Sequence, residues 1–172
     1  SPYLRELETW QRHASQLAFC CPNWKTAGTL LTMPVPFPVK RHFRLVDFNL
    51  TSLTAFLHAL LVIPYNLIVI ARACFWADHI HVRCPGNVGL LALCVQVFFP
   101  GKMKSVKYAG NWDRKAAKPF TYRLQQWLAS SEFLSKKMTV LVYGQWPEKS
   151  QNIKPFFTAS YRQSDVLPIA EL

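Results

Sequence analysis

Seven cations, Lys102, Lys104, Lys107, Arg114, Lys115, Lys118 and Arg123, fall within 22 residues that hold a single acid, Asp113. Tyr108, Trp112, Phe120 and Tyr122 are threaded among them. Positive side chains draw phosphate oxygens, and flat rings offer surfaces on which bases stack. The stretch is therefore read as a polyanion-binding site made of Lys102, Lys104, Lys107, Tyr108, Trp112, Arg114, Lys115, Lys118 and Arg123. Lys40, Arg41 and Arg44 form a second basic group that would extend the same track, and Lys136 with Lys137 a third. Arg114, Lys115 and Lys118 would sit in a loop before a helix starting at Phe120, where backbone N–H groups also favour an anion. The plainer alternative is scattered solvated charge with Trp112 in the core.

A second pattern is Asp78-His79-Ile80-His81-Val82-Arg83-Cys84. On a strand, His79 and His81 project from one face and are the candidates to share a metal or bracket a phosphate. No C-x-x-C or H-x-x-x-H supplies a second ligand pair, so no metal or other cofactor is expected. The alternation fits a solvent-facing His/His/Arg stripe on an amphipathic strand equally well. Covalent catalysis has less to build on. Cys94 lies in the apolar run from Leu91 to Phe98, whereas a reactive thiol needs an electropositive, accessible setting. There is no G-x-S-x-G turn, and Gly86-Asn87-Val88-Gly89 lacks the Lys-Ser/Thr that completes a phosphate loop. Glu6 and Glu8 belong to a surface helix, and Asp47, Asp78 and Asp113 stand apart in sequence.

These residues must be held by a chain of 172 residues, long enough for one domain with a substantial core. Half of it is apolar (51%) and only 17% is charged, yet the formal charge is +11, which reflects few acids rather than many bases. Such hydrophobic content argues against disorder. A basic surface on an apolar body suits nucleic acid, an anionic membrane face or an acidic protein. Five cysteines without a C-x-x-C pair read as free thiols in a reducing compartment, cytoplasm or nucleus. The opening Ser1-Pro2-Tyr3 leads into a charged amphipathic stretch rather than an apolar leader core. From Phe56 to Trp76 the chain is nearly long and apolar enough to span a bilayer, but Pro64-Tyr65-Asn66 reads as a turn joining two core elements.

Periodicity predicts a helix from Pro2 to about Cys20, a strand at Thr29–Met33, and an extended Pro34–Pro38 edge segment. It predicts strands over His42–Leu50, Asn66–Phe75, His79–Arg83, Val88–Phe99, Met103–Tyr108 (exposed), Met138–Tyr143 and Phe156–Tyr161. Thr51–Leu61 reads as a short helix capped by Thr51 or Ser52, and Phe120–Leu134 as an amphipathic helix with Leu124, Trp127, Leu128 and Leu134 inward. The fold expected is mainly β: a sandwich or barrel-like body of about eight short strands with two or three peripheral helices, α+β being the alternative. It forms a single domain, 1–172, with a helical arm over 1–21 and a β-rich body over 22–172 carrying a helix near 120–134.

The function expected is non-catalytic binding of nucleic acid, RNA rather than DNA, in a protein that self-associates as a viral coat or matrix protein would, and so is virion-associated. One alternative is a peripheral protein on anionic membrane surfaces, with Trp112, Phe120 and nearby lysines at the interface. Another is a metal- or phosphate-handling enzyme using His79 and His81.

Overall fold

The strand that alternates His79 and His81 with Ile80 and Val82 ends at Cys84, and beyond Pro85 the chain returns as a helix, not as a hairpin. That choice repeats through the molecule. The computed structural model describes residues 2–23, 34–49, 52–147 and 150–156. Among them the elements are α1 (Pro2–His13), β1 (Ala18–Pro22), β2 (Arg41–Leu45), α2 (Leu53–Trp76), β3 (His79–Cys84), α3 (Asn87–Val95), β4 (Met103–Tyr108), α4 (Phe120–Ser130), β5 (Met138–Tyr143) and β6 (Ile153–Phe156). A 3-10 turn, Gln96–Phe98, prolongs α3.

The main sheet has the order β3-β4-β5-β6, and β1 pairs with β2 in a second sheet; every pairing is parallel. Parallel neighbours need crossovers, here α3 between β3 and β4 and α4 between β4 and β5. The two crossover helices pack on each other and on one side of the sheet, as crossovers of a single hand require. Ile80, Val82, Cys84, Val106, Tyr108, Met138, Val140 and Val142 form the buried apolar face beneath them.

The mainly-β sandwich expected from the sequence is thus overturned: the fold is α/β, 41% helical and 23% strand. Two expected strands are helices. Asn66–Phe75 is the second half of α2, which runs unbroken through Pro64, and Val88–Phe99 is α3 with its 3-10 turn. A helix apolar on every side carries no amphipathic period, and a run of buried Val and Leu suits either state. The N-terminal helix stops at His13 and is followed by β1. Met103–Tyr108 is a strand, but an interior one, paired on both edges and buried from Lys104 to Tyr108. In α4, Gln125, Gln126, Leu128 and Ala129 face inward while Trp127 is 55% exposed. Gln125 accepts from Gly86 N–H and Gln126 donates to Trp112 O, so these amides hold loops at the carboxyl ends of the strands. The expected strand at Thr29–Met33 and residues 157–161 of the last expected strand lie outside the described residues.

Candidate functional site

Helix α2 starts at Ser52, whose hydroxyl accepts from Ala55 N–H at 3.2 Å. Its 24 residues extend about 36 Å, against about 30 Å for the hydrocarbon layer of a bilayer. Ala59, Val62, Asn66, Val69, Ile70 and Cys74 are buried at helical spacing, against β1, β2 and α3. The opposite side carries Leu53, Leu57, Leu61, Ile68 and Phe75, all open to solvent, with Leu61 80% and Phe75 79% exposed. Only 22% of the most apolar stretch of this helix is buried, far too little for a core helix. Leu53 to Ala71 holds no Lys, Arg, Asp or Glu.

Cations gather where α2 ends. Arg72 is exposed one turn before Trp76. Lys102 Nζ donates to Phe75 O at 3.3 Å, and Lys137 Nζ to Gly101 O at 3.2 Å. The Arg41 guanidinium stands 5.6 Å over the Phe43 ring, which packs 6.2 Å from Trp76. Positive charge there complements the negative end of the helix dipole. Asp78 is the nearby acid in sequence. Beside the lysines, Phe98 and Met103 are exposed, by 82% and 56%.

A polar cluster lies on the face of the main sheet turned away from α3 and α4. In register across β3 and β4, His79 faces Met103 and His81 faces Ser105. His79 Nε2 and His81 Nδ1 each lie 2.9 Å from Ser105 Oγ. Trp10 of α1 packs against both imidazoles, its ring 5.6 Å from His79 and 4.4 Å from His81, leaving His79 exposed and His81 half-buried. Two residues along β4, Lys107 pairs with Glu6 of α1 and stands over the Tyr143 and Phe156 rings. Burial lowers the pKa of His79, and that of His81 to about 4, the latter against the opposing pull of Glu6. A hydroxyl between two imidazoles has the reach of a nucleophile–base pair. However, the β4 N–H groups are committed to the ladders with β3 and β5, so no backbone donor is left there for an oxyanion, and Trp10 packs against the rings. Among the described residues no group of three His, Cys, Asp or Glu could hold a metal.

No protein-family model, no curated protein and no solved structure matches this chain.

The cations singled out in the sequence do not share one face. Lys104 is buried and donates to Gln96 Oε1 at 2.9 Å, and Lys107 is buried in its pair with Glu6. Tyr108 and Trp112 are each 1% exposed and pack edge to face at 4.9 Å, so neither ring is open to a base. Lys118 Nζ is shielded from solvent with no hydrogen-bond partner among the described residues, and desolvation lowers its pKa. Arg114, Lys115 and Arg123 are exposed around the start of α4, beyond the carboxyl end of β4. Lys40, Arg41 and Arg44 lie at or in β2 of the other sheet, and Lys102 lies at the end of α2. The sequence reading missed Ser105, Trp10 and Glu6. Register would have matched Ser105 to His81 once β3 and β4 were known to be parallel neighbours, but nothing local tied Trp10 to either.

Proposed function

We propose that this chain is a membrane-associated protein, seated on the bilayer by the exposed side of α2 with its cations toward anionic headgroups. The observation that carries the reading is a 24-residue helix, long and apolar enough to cross a membrane, that packs on the domain along one side only. A monomer in water seldom exposes so continuous an apolar stripe. The packed side makes a lone crossing helix the poorer fit: Asn66 and its partners tie α2 to the domain, so the helix lies along the membrane face and inserts its free side. Arg72, Lys102 and Lys137 then fall at headgroup depth, with Phe75, Phe98 and Met103 at the interface.

Vesicle sedimentation tests this. The 172-residue chain is expected to pellet with phosphatidylcholine vesicles, more completely when phosphatidylserine is included, and Leu57→Glu with Leu61→Glu is expected to leave it in the supernatant. Wild-type protein that stays soluble with both vesicle types removes the proposal.

A further inference from the structure

The contact between α1 and the sheet is built on two imidazoles, groups whose ordinary pKa of 6.5 lies near neutrality and is lowered here by burial. Trp10 lies across the two imidazoles, and Ser105 serves both at 2.9 Å. With both rings neutral, the hydroxyl donates to one and accepts an N–H from the other, which satisfies all three groups. One protonated ring is still accommodated. Two are not, since both nitrogens then donate to Ser105 Oγ, its own O–H has no acceptor between them, and two like charges share one hydroxyl.

The charged groups facing the cluster sharpen this. Arg83 from β3 and Lys107 from β4 both oppose a proton on His81, as does His79; Glu6 from α1 alone favours one, and it is engaged with Lys107. Once α1 lifts away, water reaches the half-buried His81 imidazole and relieves its desolvation, the largest of these effects.

We propose that His79, His81 and Ser105 form an acid-sensitive latch for α1: mild acidification charges the imidazoles and frees the helix, uncovering Ser105 and the apolar side of α1 that carries Trp10. The sign follows from burial. In the docked state the His81 pKa is held down to about 4 from its ordinary 6.5, so docking is strongest above 6.5 and weakens as pH falls toward 4. At pH 5 His81 contributes at most about a thirtyfold loss in the docking equilibrium, since His79, Lys107 and Arg83 stay on the sheet and hold its pKa below the ordinary value after α1 leaves. The inference is independent of the membrane reading, because it rests on the opposite side of the main sheet.

Hydrogen exchange on the full chain at pH 7 and pH 5, corrected for intrinsic rates, tests the latch. Amides of residues 4–13 are expected to lose protection at pH 5, by up to about thirtyfold, while those of β4 and β5 do not change. His79→Gln with His81→Gln is expected to abolish the difference, and Glu6→Gln to retain it. Equal α1 protection at the two pH values, or joint opening of α1 with β4 and β5, overturns the latch. So does a Glu6→Gln protein that has lost the pH response, since the titrating group is then the carboxylate; this variant decides the matter even if the double histidine variant does not fold.

Discussion

The side-chain amide of Asn66 holds both backbone groups of Val46: Val46 N–H donates to Asn66 Oδ1 at 2.9 Å, and Asn66 Nδ2 donates to Val46 O at 2.8 Å. Asn66 is fully buried in the middle of α2, and Val46 directly follows β2. One residue thus substitutes for a sheet partner at the strand end and fixes where the long helix sits. Asn66→Leu leaves two backbone groups without partners beside the core. It is expected to cost about 1–3 kcal/mol, read as a fall in the urea midpoint at unchanged slope.

Beneath the opposite end of the core, Lys104 Nζ donates to Gln96 Oε1 at 2.9 Å and to Gln96 O at 3.3 Å, while Gln96 Nε2 donates to Ser135 Oγ at 2.8 Å. A buried ammonium is costly unless its partners remain, and burial lowers its pKa. Gln96→Leu should therefore destabilise by about 3–5 kcal/mol. Lys104→Met, which replaces the charge by apolar volume, should be close to neutral, and the double variant should regain most of what Gln96→Leu loses. A double-mutant cycle in urea measures this directly; additive losses would refute the network.

Gly89 inverts the usual rule for helices. Replacing an interior helical Gly by Ala normally stabilises by about 1 kcal/mol. Here an added Cβ would meet Arg83 O at 2.6 Å and Cys84 Sγ at 3.0 Å. The first is backbone and cannot swing aside, so α3 must move off β3. Gly89→Ala is expected to destabilise by about 1–3 kcal/mol in thermal or urea unfolding.

These positions show where the sequence was readable. Strict alternation at His79–Arg83 identified a sheet strand because a helix cannot share that period, and the runs at Met103–Tyr108 and Met138–Tyr143 were read as strands too, short stretches closed by turn residues. Ser52 was legible as a cap. The fold class was not, since the two longest apolar runs are helices: α3 is apolar on every side, and Pro64 reads as a turn unless one knows that its own side of α2 is open and that Asn66 clamps the next turn. The basic stretch failed to stay together for a different reason. Charge on a strand is assumed to be solvated, but Lys104 and Lys107 point to opposite faces of an interior strand and each found a partner on another element. Lys104 turns back to Gln96 in the 3-10 turn, and Lys107 reaches Glu6 of α1, which no local window contains.

Alkaline conditions probe the carboxyl end of the same sheet. Burial pushes the Cys84 thiol up to about 12 and the Tyr108 phenol up to about 12, the latter with a further push from Cys84 and Tyr122. Both groups stay neutral in the folded state to higher pH than in the unfolded chain. Their contribution is complete below the ordinary thiol value of 9.0 and is lost as pH rises toward 12. Melting temperatures recorded from pH 8 to pH 10.5 should fall along that limb, and Cys84→Ala should flatten it even if it lowers stability at pH 8.

The dispersal of the cations makes two functional readings separable by mutation. Arg72, Lys102 and Lys137 gather at the end of α2, whereas Arg114 and Lys115 are exposed just before α4, with the shielded Lys118 after them. A basic residue near an anionic membrane contributes about 1 kcal/mol, so replacing the first three by Gln should weaken binding to phosphatidylserine-containing vesicles about a hundredfold at low salt. That loss should shrink as salt is raised, because screening removes the same attraction, while the contribution of Leu57 and Leu61 should not shrink. Replacing Arg114, Lys115 and Lys118 together by Ala should leave vesicle binding unchanged. If that second set instead abolishes binding to a single-stranded RNA while the first does not, the α4 loop is the functional surface and α2 requires another cover. Titrations of both triple variants against both ligands, at two salt concentrations, decide between the two ends of the molecule.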